Sequence, residues 1–224
     1  MQSGLGPADM MSRDLVLADA GELKVSQFGR LQQIYEESFP SELRVPVAEL
    51  AAASPRDRML VALESGEPVG FAALRLLTGP SWAFLRYYGI AAGRRRSGLG
   101  LRFWHLVVPA MIDVGWPARI ALEAEDPADA AGDPAEQEVR RARIGFWTRC
   151  GAVALPVPGY VMPAFTDTGR AEPMVLMAFD PAASGPSLAD VTDLVRAIFI
   201  EHYGLLSSNP IVTAALDSIA TGNG

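Results

Sequence analysis

The amino-acid sequence predicts one mixed α/β domain followed by a helical C-terminal extension. Three observations predict it. The 224-residue chain is half hydrophobic and one-fifth charged, the balance of a globular protein able to bury one sizeable core. Its apolar spacing alternates between a strand period and a helical period. No internal repeat and no clear linker divides it into separately folded halves.

Residues 1–13 read as a loose, flexible leader with little to bury. Leu15-Val16-Leu17 is a short strand. Residues 21–38 carry Leu23, Phe28, Leu31 and Tyr35 at helical spacing, and Phe39-Pro40 ends that helix because the residue before proline is pushed out of the α region. A short helix over about 46–53 follows. Met59 to Leu63 and Val69 to Leu77 flank Ser65-Gly66-Glu67 as a hairpin. Thr78-Gly79-Pro80 breaks the chain before an aromatic-rich strand, Trp82 to Ala91.

A polar loop from Gly93 to Gly100 leads into an amphipathic helix bearing Leu99, Phe103, Leu106, Val107, Ala110 and Val114. Ala118 to Ala124 is a strand closed by Glu125-Asp126-Pro127, and 127–135 is a loop. Glu136 to Cys150 is a helix stopped by Gly151. Val153 to Leu155 and Met174 to Phe179 are strands separated by a proline-bearing loop. Leu188 to Tyr203 forms a strongly periodic helix, and Pro210 to Ile219 a shorter one.

Charge and composition exclude several classes of function. The net charge of −7 repels phosphate backbones, so no nucleic-acid partner is expected; it favours cationic acceptors instead. Cys150 is the sole cysteine and His105 and His202 the only histidines, so neither an intramolecular disulfide nor a metal site is expected. No apolar run is long enough to span a bilayer, and the first residues lack a basic segment followed by an apolar one. The expected location is the cytoplasm, without a membrane partner.

The chemistry concentrates in Tyr87-Tyr88-Gly89-Ile90-Ala91-Ala92-Gly93-Arg94-Arg95-Arg96-Ser97-Gly98-Leu99-Gly100. A strand enters a glycine-bearing turn that opens a helix. Amides at a helix start lack intrahelical partners and sit at the positive end of the dipole. Gly98 and Gly100 leave room for an anion to approach the backbone, and the arginines add positive charge. Such a turn suits a pyrophosphate. It is not a P-loop, since Leu101-Arg102 follows the last glycine in place of Lys-Ser/Thr. Nor is it a dinucleotide-binding fingerprint, because Phe103 stands where the third glycine belongs.

Arg95-Arg96-Ser97-Gly98-Leu99-Gly100 resembles the R/Q-x-x-G-x-G/A signature of GNAT acetyltransferases. Glu123-Ala124-Glu125-Asp126-Pro127 at a strand end looks like a later segment of that family, and Phe146-Trp147-Thr148-Arg149-Cys150-Gly151-Ala152 resembles its "F-Y-x-x-x-G-F" helix. Ser38-Phe39-Pro40 and Tyr160-Val161-Met162-Pro163 are similar to segments of some bacterial members. The resemblance covers roughly residues 14–180 and leaves 181–224 as a helical extension, packed on the domain or on a partner subunit. It implies a GNAT-like acyl-CoA N-acyltransferase fold.

The resemblance further implies transfer of an acetyl group from acetyl-CoA to a primary amine, on a small molecule or a peptide, by direct attack. It implies two parallel strands, here 82–91 and 118–125, that splay to admit the pantetheine arm. Backbone groups of Ile90 and Ala91 would then meet the cofactor, and Arg95, Arg96, Ser97, Gly98, Leu99 and Gly100 would hold its pyrophosphate. A base must deprotonate the amine. Glu123 and Glu125 are the nearest carboxylates; one is expected to face the cleft, and Glu125 at the strand end is preferred, with Glu123 on the substrate side. Many members place an acidic tyrosine where this chain has Trp147, so Tyr160 is the candidate to protonate the departing thiolate.

Tyr35, Phe39 and Tyr88 are candidates to line the acceptor cleft, with the alternative that such aromatics belong to the core. Cys150 reads as a buried, inert thiol. Arg94 reads as solvated, His105 as a surface residue, and His202 has no visible partner. Two matters stay open. The vacancy at Trp147 is compatible with a catalytically inactive acyl-CoA-binding or regulatory module. The apolar face containing Phe199 and Tyr203 must cover its own sheet, the acceptor site, or a second subunit in a homodimer.

Overall fold

The computed structural model describes residues 14–52, 54–164, 170–182 and 185–221; the leader expected over 1–13 lies outside the described residues. Alternating apolar residues build strands β1 (Leu15–Asp19), β2 (Asp57–Glu64), β3 (Glu67–Leu77), β4 (Trp82–Ile90), β5 (Ile120–Glu125), β6 (Val153–Ala154), β7 (Val161–Met162) and β8 (Glu172–Phe179). Helices are α1 (Val25–Ser38), α2 (Val47–Ala51), α3 (Leu99–Ile112), α4 (Pro134–Arg149), α5 (Leu188–Ala197) and α6 (Pro210–Thr221). The sheet order is β1-β2-β3-β4-β5-β8-β6, with β7 paired to β8.

The β2–β3 hairpin turns at Ser65 and Gly66, both at positive φ (53° and 82°), a backbone twist that matches the twist of the flanking strands. Most strands are antiparallel, but β4 and β5 are parallel and pair only at Ala83–Ile120, Phe84–Ala121 and Leu85–Leu122. Beyond Leu85 and Leu122 both strands continue without pairing to each other. The divergence begins at an irregularity: Leu74 of β3 faces Leu85 while Ala73 faces Tyr87, leaving Arg86 as an inserted residue. A bulge bends its strand and increases its local twist, which turns β4 away from β5. The sheet therefore opens into a fork.

Three apolar clusters hold the layers. Leu60, Ala72, Leu85 and Leu122 on one face pack against Phe103, Trp104, Val107 and Met111 of α3 and Trp147 of α4. On the opposite face, Val61, Phe71 and Tyr87 pack under Leu31, Ile34 and Tyr35 of α1. Beside them Trp82, Phe84, Ala121 and Leu176 pack under Val191, Leu194, Val195 and Phe199, joined by Val212 and Ile219 of α6. Each fully buried Leu, Val or Phe contributes about 1.5–3 kcal/mol. The C-terminal helices thus cover the chain's own sheet. Arg119 ties them to it by pairing with Asp180 (3.0 Å) and Asp190 (3.3 Å).

The helix expected through Tyr203 departs from a regular period. It is α-helical to Ala197 and widens into a π turn over Ile198–His202, with the Tyr203 amide donating to the Ile198 carbonyl at 3.0 Å. The loop expected over 127–135 contains a 3₁₀ turn at Pro127–Ala130. The short strand β7 lies within the span read as a proline-bearing loop.

Candidate active site

The fork carries two kinds of group: helix-start amides where the chain leaves β4, and a half-buried carboxylate on β5 where the two strands part. At the open end the chain leaves β4 and makes a 3₁₀ turn over Ala92–Arg94, and Gly98 caps α3. Gly98 has φ +81°, and a Cβ there would meet nothing within 4 Å, so glycine serves the backbone conformation and leaves the approach clear. With no side chain at the cap, the amides of Leu99, Gly100 and Leu101 emerge at the positive end of the helix. The first intrahelical bond is Arg102 N–H to the Gly98 carbonyl, 3.1 Å. This end of the helix fits an anionic diphosphate on the chemistry of its donors alone.

Several residues assigned to that end do something other than expected. Gly100 is closely packed: a Cβ there would lie 3.2 Å from the Phe146 ring, which would have to shift slightly to admit it. The Leu99 side chain is buried in the core, so only its backbone is available. Ser97 is exposed, and its hydroxyl donates to the Arg94 carbonyl at 2.7 Å. Arg96 is exposed with φ +60°. Arg95 folds back, its Nε donating to the Ile90 carbonyl (3.0 Å) and its Nη2 to Ser38 Oγ (3.2 Å), which pins the end of α1 to the end of β4. Arg94 is not solvated: it pairs with Glu64, whose side chain is 3% exposed. The Ala91 amide donates to the Val69 carbonyl at 2.9 Å and is thereby committed to β3. Since amides alternate between neighbours along a strand, that of Ile90 faces the opened edge.

At the apex stands Glu123, the first β5 residue beyond the last β4–β5 pair. Its two carboxylate oxygens each accept one short hydrogen bond. The Tyr160 hydroxyl donates to Oε1 at 2.6 Å and the Tyr203 hydroxyl to Oε2 at 2.6 Å. The residue keeps partial contact with solvent, but burial outweighs the two hydrogen bonds and pushes its pKa up to about 7. Burial beside this carboxylate holds both phenols protonated well above their usual range. Phe199 packs near both rings, 5.4 Å from Tyr160 and 6.3 Å from Tyr203 between centroids.

Glu125, the preferred base, lies at the strand end and pairs with Arg143 of α4. Two residues apart on one strand, Glu123 and Glu125 project from the same side, which corrects the expectation that only one of them could face the cleft. What separates them is their partners, two phenols on Glu123 and the Arg143 guanidinium on Glu125 at the strand end. Tyr160 is buried and directed at Glu123. Trp147 fills its position as a core residue, its ring 5.4 Å from Trp104 and 5.1 Å from Tyr88.

Of the expected acceptor-side aromatics, Tyr35 is buried in the core, while Phe39 and Tyr88 are half-buried against it. Tyr35 is buried, its hydroxyl paired with both the amide and the carbonyl of Val45 at 3.1 Å. Phe39 packs on Tyr87, 5.0 Å between centroids. Tyr88 faces α3 and α4, stacked 5.2 Å from Phe103, with its hydroxyl donating to the Gly100 carbonyl at 2.6 Å. Cys150 is buried and its thiol is pushed up to about 12. His105 is exposed.

The residues missed from sequence come from the bulge and the tail. Arg86 shares Asp57 (3.3 Å) with Arg75 (2.8 Å). His202 lies 4.6 Å from the Phe84 ring and 4.5 Å from that of Tyr203; burial and the arginines lower its pKa to about 3, so it is neutral. Among the described residues no helix is long and apolar enough to cross a membrane, and no group of three or more His, Cys, Asp or Glu could hold a metal ion.

Comparison with known proteins bears on this geometry. The family model described as Acetyltransferase (GNAT) family matches residues 28–151. Among solved structures, a GNAT-family acetyltransferase of Bacteroides thetaiotaomicron superposes with a TM-score of 0.68 at 17% identity, covering 86% of this chain and 99% of its own. The ribosomal-protein-S18-alanine N-acetyltransferase of Escherichia coli gives 0.52 at 16% identity, covering 78% and 98%. An aminoglycoside 6′-N-acetyltransferase complexed with coenzyme A gives 0.50 at 17% identity, covering 73% and 95%. At these identities the likeness is one of fold. Comparison with curated proteins found no significant match.

Proposed function

The chain belongs to the GNAT acetyltransferase family, and from that premise we propose that it transfers an acetyl group from acetyl-CoA to a primary amine by direct attack, with Glu123 as the base. The observation that carries the proposal is the Glu123 carboxylate, half-buried and held by two phenols just beyond the last β4–β5 pair, together with the uncapped start of α3 that follows β4. Coenzyme A supplies an activated acetyl thioester.

The amides of Leu99, Gly100 and Leu101 would hold the pyrophosphate, with Arg96 exposed beside them. The Ile90 amide, facing away from β3, would donate to the thioester oxygen as negative charge grows there. A protonated amine has no lone pair for attack, and a carboxylate with a pKa near 7 accepts its proton far better at neutral pH than an ordinary glutamate. Tyr160 donates to that carboxylate, and we assign it the further task of returning a proton to the thiolate, since Trp147 has none to give. The acceptor is a small-molecule or peptide amine.

The test is free-thiol release from acetyl-CoA over a panel of amines. Wild type should turn over at least one class. Glu123→Gln should lose about 10²–10⁴-fold in rate while its affinity for CoA is kept. CoA binding with no release for any amine would favour the inactive binding module instead, the reading to which the tryptophan at 147 lends weight.

A further inference from the structure

We infer that Tyr203, carried by the C-terminal arm formed by α5 and the π turn over Ile198–His202, beyond the family-matched residues 28–151, is a positioning residue for the Glu123 carboxylate, which makes the arm part of the catalytic machinery. This rests on the reading of Glu123 as the base.

A carboxylate held through one oxygen can still rotate about its last bond. Glu123 is held through both, by phenols from two separate stretches of the chain: Tyr160 just before β7 and Tyr203 just after the π turn. Each oxygen keeps a further lone pair for an incoming proton. The plane of the carboxylate is therefore fixed while its basic capacity is preserved. Charged or titratable groups near Tyr203 besides the base include Arg86 and Tyr87 of β4 and the adjacent His202.

The arm is built to deliver that hydroxyl. Ile198 and Phe199 are fully buried anchors, and the π turn closes with two bonds, Tyr203 N–H to the Ile198 carbonyl (3.0 Å) and Leu205 N–H to the Phe199 carbonyl (2.9 Å). Widening a helix by one residue changes the face on which the next side chain emerges, and π turns recur at functional sites. Glu201, inside the turn, fastens it to the β3–β4 connection: its carboxylate accepts from the Thr78 amide (3.0 Å), the Thr78 hydroxyl (2.9 Å) and the Gly79 amide (3.1 Å). Burial acts against that charge, but the Thr78 and Gly79 amides outweigh it and hold Glu201 below the usual carboxylate range. Both ends of the turn are thus tied, one to the scaffold and one to the base.

The test is a ¹³C NMR titration of the glutamate side-chain carboxyls in the full chain, with the Glu123 signal identified by its loss in Glu123→Gln. Removing one charge-assisted hydrogen bond should move its midpoint upward by about one to two pH units in Tyr203→Phe. The acidic limb of kcat/KM against pH should move with it, at unchanged CoA affinity. Placing 3-fluorotyrosine at Tyr203, which keeps the ring and strengthens the donor, should move the midpoint down, and this keeps the test open if Tyr203→Phe fails to fold. An unmoved midpoint in either protein overturns the inference while the base assignment stands. Wild-type turnover by Glu123→Gln overturns the base assignment, whatever the titration shows.

Discussion

Replacing Glu123 by glutamine should stabilise the protein at alkaline pH and leave it nearly unchanged at acid pH. The carboxyl has a folded-state pKa of about 7 against 4.5 as its ordinary value. For an acid, a raised pKa means the folded state holds its proton more tightly than the unfolded chain. Stability from this group is present in full below pH 4.5, declines as pH rises towards 7, and then levels off. A difference of about 2.5 units at 1.36 kcal/mol each gives roughly 3 kcal/mol. Glutamine resembles the protonated carboxyl in shape and cannot ionise, so the variant lacks that decline. Denaturant unfolding at pH 5 and at pH 8.5 measures the effect. Glu123→Gln should lie within about 1 kcal/mol of wild type at pH 5 and exceed it by about 3 kcal/mol at pH 8.5, equivalent at the higher pH to roughly 6–12 °C in Tm for a chain of this size. A difference independent of pH would refute the assignment of Glu123 as a group strained by burial. The gain in stability should accompany a loss of activity, the usual trade at a site held for function.

Gly98→Ala should lower Tm by roughly 2–8 °C, because φ +81° costs a side-chain-bearing residue about 1–2 kcal/mol; thermal melts check this, and an unchanged Tm would show that the turn relaxes freely. Arg94→Met should cost about 3–5 kcal/mol by leaving Glu64 buried and unpaired, and adding Glu64→Gln should restore most of it in the same denaturation assay. Cys150, buried with its thiol pushed up to about 12, should resist a thiol-reactive dye at pH 8 until the chain is unfolded; prompt labelling of native protein would contradict its placement.

Local features were legible in the sequence, and tertiary ones were not. The hairpin at Ser65-Gly66, the glycine-opened start of α3 and the strand ending at Glu125 follow from period and turn chemistry, which act over a few residues. The choice between Glu123 and Glu125 does not. Both stand on one side of β5, and what distinguishes them is Tyr203, eighty residues away, against Arg143 on α4. Tyr88 was grouped with Tyr35 and Phe39, but Arg86, inserted at the bulge, interrupts the strict alternation along β4, and Tyr88 ends on the α3–α4 side. Gly100 fits a phosphate-binding pattern in sequence, while its immediate constraint is the Phe146 ring, contributed by a helix that sequence spacing cannot bring into view. Arg94 reads as solvated from sequence because its partner Glu64 lies 30 residues earlier, at the end of β2.

A crystal structure of the protein with coenzyme A bound tests the central claim most directly. Pyrophosphate oxygens within hydrogen-bonding distance of the Leu99, Gly100 and Leu101 amides, and a pantetheine arm lying between β4 and β5 with its sulfur towards Glu123, are the predicted result. Coenzyme seated away from the fork, with the two strands closed on each other beyond Leu85 and Leu122, would contradict it.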